Sequence, residues 1–116
     1  MRVEEIAKII DAKVHTSLHA EDLNISSACG ADLMSDVMAY SKENAMMITG
    51  LVNPQVIRTA EMMDIRVVVF VRGKKPQECM IDMAEERGIA VMSTDLPMFT
   101  TCGRLYKNGI HGRGET

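Results

Sequence analysis

The spacing of apolar positions along this chain changes repeatedly, and each change marks a short element. Val3, Ile6, Ile9 and Ile10 recur at helical spacing, so residues 3–12 are expected to form an amphipathic helix. Lys13-Val14-His15-Thr16 follows as a brief strand. His19-Ala20-Glu21-Asp22 is polar and predicts a turn. Leu23 to Cys29 alternates loosely and predicts a strand that Gly30 breaks. Asp32 or Ser35 can cap the next helix, which runs through Val37, Met38 and Tyr40 to about Lys42 and ends at Glu43-Asn44.

The second half is more regular. Ala45-Met46-Met47-Ile48-Thr49 predicts a buried strand stopped by Gly50. Asn53-Pro54 starts a helix, with Asn as N-cap and Pro at the first helical position, that buries Val56, Ile57, Ala60 and Met63. Ile65 to Val71 is the clearest strand, because the unbroken run Val67-Val68-Val69-Phe70-Val71 fits a strand covered on both faces. Arg72-Gly73-Lys74-Lys75 forms a loop. Pro76 opens a helix carrying Met80, Ile81 and Ala84 that closes at Arg87-Gly88. Ile89 to Met92 is a strand, and Ser93, Thr94 or Asp95 caps a last helix bearing Phe99, Cys102, Leu105 and Tyr106, stopped at Asn108-Gly109.

From Ala45 onward, strand and helix alternate through short loops. That order builds a parallel sheet by right-handed crossovers. The expected fold class is α/β, a largely parallel sheet of about four or five strands with helices on both faces. Residues 1–109 would form one domain and 110–116 a flexible tail.

Composition narrows the function. The chain has 116 residues, enough for one core, and 47% are hydrophobic. The net charge is −3 with acids and bases interspersed, so there is no basic face for nucleic acid; Arg72-Gly73-Lys74-Lys75 is the nearest approach to one. No apolar run reaches the roughly 18 residues that cross a bilayer, and the acidic start Met1-Arg2-Val3-Glu4-Glu5-Ile6 is unlike a signal peptide. A cytoplasmic protein without membrane contact is expected. Cys29, Cys79 and Cys102 are an odd count without CxxC spacing, which argues for reduced thiols acting as small buried hydrophobes. Eleven Met beside two Phe, two Tyr and no Trp suggest adaptable core filler, or a Met-rich binding face. So few aromatics also argue against base stacking.

Ligands of open parallel sheets sit outside the carboxyl ends of the strands. Three loops should gather there: Thr49-Gly50-Leu51-Val52-Asn53, Arg72-Gly73-Lys74-Lys75 and Ser93-Thr94-Asp95. Each should run into a helix N-terminus, where free N–H groups favour anions. The candidate ligand-binding residues are therefore Thr49, Gly50, Asn53, Arg72, Gly73, Lys74, Ser93 and Thr94, and the ligand class is a phosphate or carboxylate. Every one of these also has a structural reason to be there, as cap, turn or solvated charge. There is no P-loop, no GxGxxG, no HExxH and no GxSxG, so no catalytic residue is assigned and no cofactor is expected. His15 and His19 lie four apart but flank a turn, which makes a poor metal site. Asp32 and Asp36 could pair on one helix. Cys29, beside Gly30 and ahead of a helix, is the thiol best placed for a lowered pKa.

Several segments together resemble the DRTGG domain, a family related to the N-terminal domain of bacterial HPr kinase/phosphorylase. The likeness runs from Val3 to about Gly109. Its best signature is Gly30-Ala31-Asp32-Leu33-Met34-Ser35-Asp36-Val37-Met38, similar to the family's G-D-L-L-S-x-V-M stretch. Ile48-Thr49, Val67–Val71, Arg72-Gly73-Lys74-Lys75-Pro76, Ile89-Ala90-Val91-Met92-Ser93-Thr94 and Gly103-Arg104-Leu105-Tyr106 also resemble family patterns. The name-giving motif is degenerate: Asp22 remains, Leu23 stands at the Arg position, and Ser26-Ser27 stand at the Thr-Gly positions. Family members stand alone, or sit beside CBS domains in inorganic pyrophosphatases or ahead of phosphotransacetylase domains. The resemblance thus implies a regulatory, dimer-forming domain without turnover. Two other readings compete with it: a ligand-free module that docks a protein partner, and a small enzyme, for which no base and nucleophile are found.

Overall fold

The computed structural model describes residues 1–17, 23–40 and 44–112. The expected turn at 19–22, including Asp22, lies outside the described residues, as do Lys42, Glu43 and the tail from 113. The elements in chain order are α1 (Val3–Ile9), β1 (Lys13–Val14), β2 (Ser27–Gly30), α2 (Met34–Tyr40), β3 (Ala45–Thr49), α3 (Pro54–Met62), β4 (Val67–Phe70), α4 (Glu78–Arg87), β5 (Ala90–Ser93) and α5 (Met98–Lys107).

The five strands form one sheet in the order β1-β5-β4-β3-β2. β2 to β5 are parallel, and β1 is an antiparallel edge strand with Lys13 opposite Ser93 and Val14 opposite Met92. That antiparallel pairing is invisible in a two-residue strand, because only the partner defines it. The expected α/β architecture, with a mostly parallel sheet and helices on both faces, is what the chain adopts.

Strand alternation divides the core in two. On one face Met46, Ile48, Val67, Val69, Ala90 and Met92 pack with Val3, Ile6 and Ile10 of the α1 region and Leu105 of α5. On the other Met47, Val68, Phe70 and Val91 pack under Val37 of α2, Val56, Ile57 and Ala60 of α3, and Met80 and Ala84 of α4. The three crossover helices share a face because the parallel strands follow one another in sequence order and every right-handed crossover returns on the same side. Met34, Met46, Met47, Met80 and Met92 are buried, whereas Met38 and Met62 are exposed, so core filling accounts for only part of the methionine content.

Several boundaries differ from the sequence reading. The strand expected from Leu23 begins only at Ser27, and Gly30 is its last paired residue, opposite Ile48. Pro76 precedes α4, whose N-cap is Gln77. Ser93, Thr94 and Asp95 do not cap α5; its N-cap is Pro97, without a side-chain bond. Asn53 and Gly88 behave as expected: the Asn53 side chain accepts from Gln55 N–H, and Gly88 closes α4 in the left-handed region at φ 67°. Phe99 and Tyr106 of α5 are exposed while Thr101 and Leu105 are buried. The engaged chain continues past 109, since Ile110 is in the core and His111 bridges Ser27. Among the described residues no helix is long and apolar enough to cross a membrane.

Candidate functional site

The strand order decides first where a ligand could lie. In doubly wound sheets the binding crevice opens where the order reverses and adjacent loops diverge to opposite faces. Among β2 to β5 there is no reversal. Any site at the carboxyl edge therefore rests on the loops themselves.

Those loops are stitched together. After β4 the chain turns through Arg72 at φ 60° and Gly73 at φ 71°. The Arg72 N–H donates to Leu96 O at 2.9 Å, and the Gly73 N–H donates to Thr94 O at 3.0 Å. Arg72, a non-glycine residue in the left-handed region, is held there by these bonds. Its guanidinium lies across Gly50; a methyl group at Gly50 would fall 1.9 Å from Nη2. Gly50 is the residue whose lack of a side chain permits that approach.

Asp32 joins Arg72 and Gly50. Its Oδ1 accepts from the Gly50 N–H at 2.7 Å and from the Thr49 hydroxyl at 3.4 Å, and its Oδ2 accepts from Arg72 Nη2 at 3.2 Å. The role expected of Asp32, capping α2, is thus not realised: its carboxylate reaches across to the β3 loop, and Asp36 alone of the Asp32/Asp36 pair lies in α2. Asp32 was absent from the candidate residues because the signal is tertiary, a contact between residues 40 apart in sequence. An anion, a backbone N–H and a cation thus already meet at the carboxyl edge.

The remaining candidates are occupied elsewhere. Thr49 is fully buried and accepts from the Leu51 N–H at 3.1 Å. Asn53 caps α3. Thr94 is buried; its hydroxyl donates to Ile10 O at 2.6 Å and accepts from the Leu96 N–H at 3.2 Å. Lys74 is exposed in the turn. Ser93 belongs to a different group: its Oγ is 2.7 Å from His15 Nε2. The eight candidates do not form one site. Thr49, Gly50, Arg72, Gly73 and Lys74 belong to the two loops that meet at the Gly50–Arg72 crossing, Ser93 lies at the corner where β1 meets β5, and Asn53 and Thr94 serve local caps and turns.

Burial pushes the Cys29 thiol up, and Asp36 and Cys102 push it further, so the expectation of a lowered pKa is reversed. Cys29 is buried and Cys102 half-buried, but Cys79 is exposed rather than a core residue. Among the described residues no group of His, Cys, Asp and Glu could hold a metal ion. A crevice of about 170 Å3 opens beside β2 between Gly30, Ile48, Cys102, Leu105, Tyr106 and His111, and none of the predicted site residues lines it.

The sheet and its clustered loops define an α/β domain of the kind that presents a loop edge on a rigid scaffold. The profile of the DRTGG domain matches residues 5–107, and the chain belongs to that family. Among solved structures the fold is similar to that of the CBS and DRTGG domains of the regulatory region of Clostridium perfringens pyrophosphatase, complexed with its activator diadenosine tetraphosphate. The TM-score is 0.69 at 15% sequence identity, over 90% of this chain and 45% of that one. The likeness at that identity is one of fold, and this chain spans under half of that one. No curated protein matches the sequence.

Proposed function

We propose that this chain is a non-catalytic regulatory domain that binds a small phosphorylated ligand, such as a nucleotide, at the carboxyl edge of its sheet and associates with a second copy of itself. The observation that carries the ligand reading is the Asp32 carboxylate seated against the Gly50 N–H and the Arg72 guanidinium. Those two donors are suited to a phosphate oxygen as well as to a carboxylate. A ligand anion would displace Asp32, and Lys74, exposed in the same turn, would add charge. The pyrophosphatase regulatory region is a nucleotide-bound precedent for the fold.

Thermal-shift measurements with diadenosine tetraphosphate, ATP, ADP and inorganic phosphate test the reading, because a ligand that binds the folded state raises its stability. A nucleotide should stabilise the wild type and Asp32→Asn, and should fail to stabilise Arg72→Ala. No response to any of these compounds would overturn it.

A second reading, a ligand-free module that docks a protein partner, is favoured by the internal neutralisation of Arg72 and by the exposed Phe99, 89% accessible on α5. Light scattering separates the two associations. A dimer mass at micromolar concentration that reverts to monomer in Phe99→Ser supports self-association, and a monomer mass in the wild type refutes it.

A further inference from the structure

The second group of residues lies at the β1–β5 corner. Antiparallel register puts Lys13 directly opposite Ser93, and His15, two residues on, extends over the same face of the sheet. His15 stays tied to β5 through its N–H, which donates to Val91 O at 2.8 Å, and through its ring, with Nε2 2.7 Å from Ser93 Oγ. Lys75 comes in from the loop before α4. Its charge and that of Lys13 both act on the His15 ring. We propose that Lys13, His15, Lys75 and Ser93 form a binding site for a phosphate group, separate from the Gly50–Arg72 crossing.

The chemistry follows from the donors. Lys13 and Lys75 are exposed ammonium groups with only protons to offer. Ser93 is buried but for 8% of its surface, and its hydroxyl is held by the imidazole. When His15 takes a proton, both ring nitrogens become donors, so Nε2–H must donate to Ser93 Oγ. The Ser93 hydroxyl then accepts from the ring, and its own hydrogen is free to turn to an anion. Lys13 stands opposite Ser93 in the register, the imidazole rests on the Ser93 hydroxyl and the Lys75 charge reaches that ring, a set of donors that suits an oxyanion. Of the acidic groups nearby, Asp95 follows Ser93 by two residues and its carboxylate lies beside Gly73, and two more come from α4. Glu85 is taken up by Ser17, whose N–H and hydroxyl both donate to it, and Glu78 stands two turns earlier on the same side of that helix. The proposal does not rest on ligand binding at Arg72.

The test follows the His15 ring by proton–carbon correlation NMR on the full chain across a pH series. One series contains inorganic phosphate and one contains chloride at matched ionic strength. An anion that binds the protonated ring raises the titration midpoint. The expected result is a higher His15 midpoint in phosphate, with the phosphate affinity falling at least about tenfold in the exposed-residue double variant Lys13→Ala/Lys75→Ala. Ser93→Ala should weaken the response, and Arg72→Ala should leave it in place. ATP used instead of phosphate assigns the group to a nucleotide if it binds more tightly, and to free phosphate if it binds equally. An identical midpoint in phosphate and chloride would overturn the proposal. So would a response that survives loss of both lysines, or one that disappears in Arg72→Ala.

Discussion

Replacing Gly50 with Ala separates what the loop edge contributes to stability from what it contributes to charge placement. Among the described residues, the glycines with positive φ are Gly73, Gly88 and Gly109, so Gly50 needs no special backbone freedom. The obstacle is the Arg72 side chain. The added methyl would lie 1.9 Å from Nη2 and 2.8 Å from Cζ, which cannot persist, and the guanidinium must swing away. It is the far end of a flexible side chain, so the movement costs little beyond the Asp32–Arg72 ion pair. Both members of that pair are about half exposed, at 49% and 52%. Pairs of that kind contribute about 0.2–1 kcal/mol. Alanine in turn restricts the unfolded chain and gains about 0.4–1 kcal/mol. The two effects nearly cancel, and the net change should stay within about 1 kcal/mol, a shift of a few degrees in Tm. Urea denaturation measures it. In the same variant, Asp32→Asn should cost less than it does in the wild type, because Arg72 has already left. A loss above about 3 kcal/mol on Gly50→Ala, or an undiminished cost of Asp32→Asn in that background, would refute the argument that the glycine is there for the guanidinium.

Further predictions concern the core, the loop bonds and pH. Phe70→Ala, at a fully buried position of the central strand β4, should cost about 3–5 kcal/mol in urea denaturation. Thr94→Val keeps the shape but leaves Ile10 O and the Leu96 N–H without their partner, and should cost about 1–3 kcal/mol by the same assay. His15 is held below its ordinary value of 6.5 by burial and by the charges of Lys13 and Lys75. The unfolded chain therefore takes up a proton at a higher pH than the folded one. The contribution of neutral His15 is complete above about 6.5 and is lost as the pH falls toward the folded value. Melting temperatures measured between pH 7.5 and 5 in a non-binding buffer should decline less in His15→Gln than in the wild type.

The fold was largely legible in the order of short apolar runs. Val67–Phe70 could only be a strand covered on both faces, and Asn53-Pro54 and Gly88 carry their own stop and start chemistry. These are local signals, set by backbone sterics and by which N–H groups a neighbouring side chain can reach. The candidate site was legible only as a set of loops. Sequence put Arg72, Ser93 and Thr94 at one edge, but could not say that Thr94 turns inward to Ile10, that Ser93 turns to His15, or that Asp32 crosses to Arg72. His15 looked like half of a weak metal pair until the register of β1 on β5 gave it a partner 78 residues away.

The class of fold, the family likeness and the residues that reach the carboxyl edge were thus readable along the chain. All of these depend on period, turn chemistry and composition, which act over a few residues. It took the packing of the whole chain to keep the parallel strands in sequence order, to leave no crevice opened by reversal, and to set Arg72 apart from the Lys13–His15 corner. Those outcomes depend on which strand lies beside which, and a pairing between distant segments leaves no mark on either segment alone.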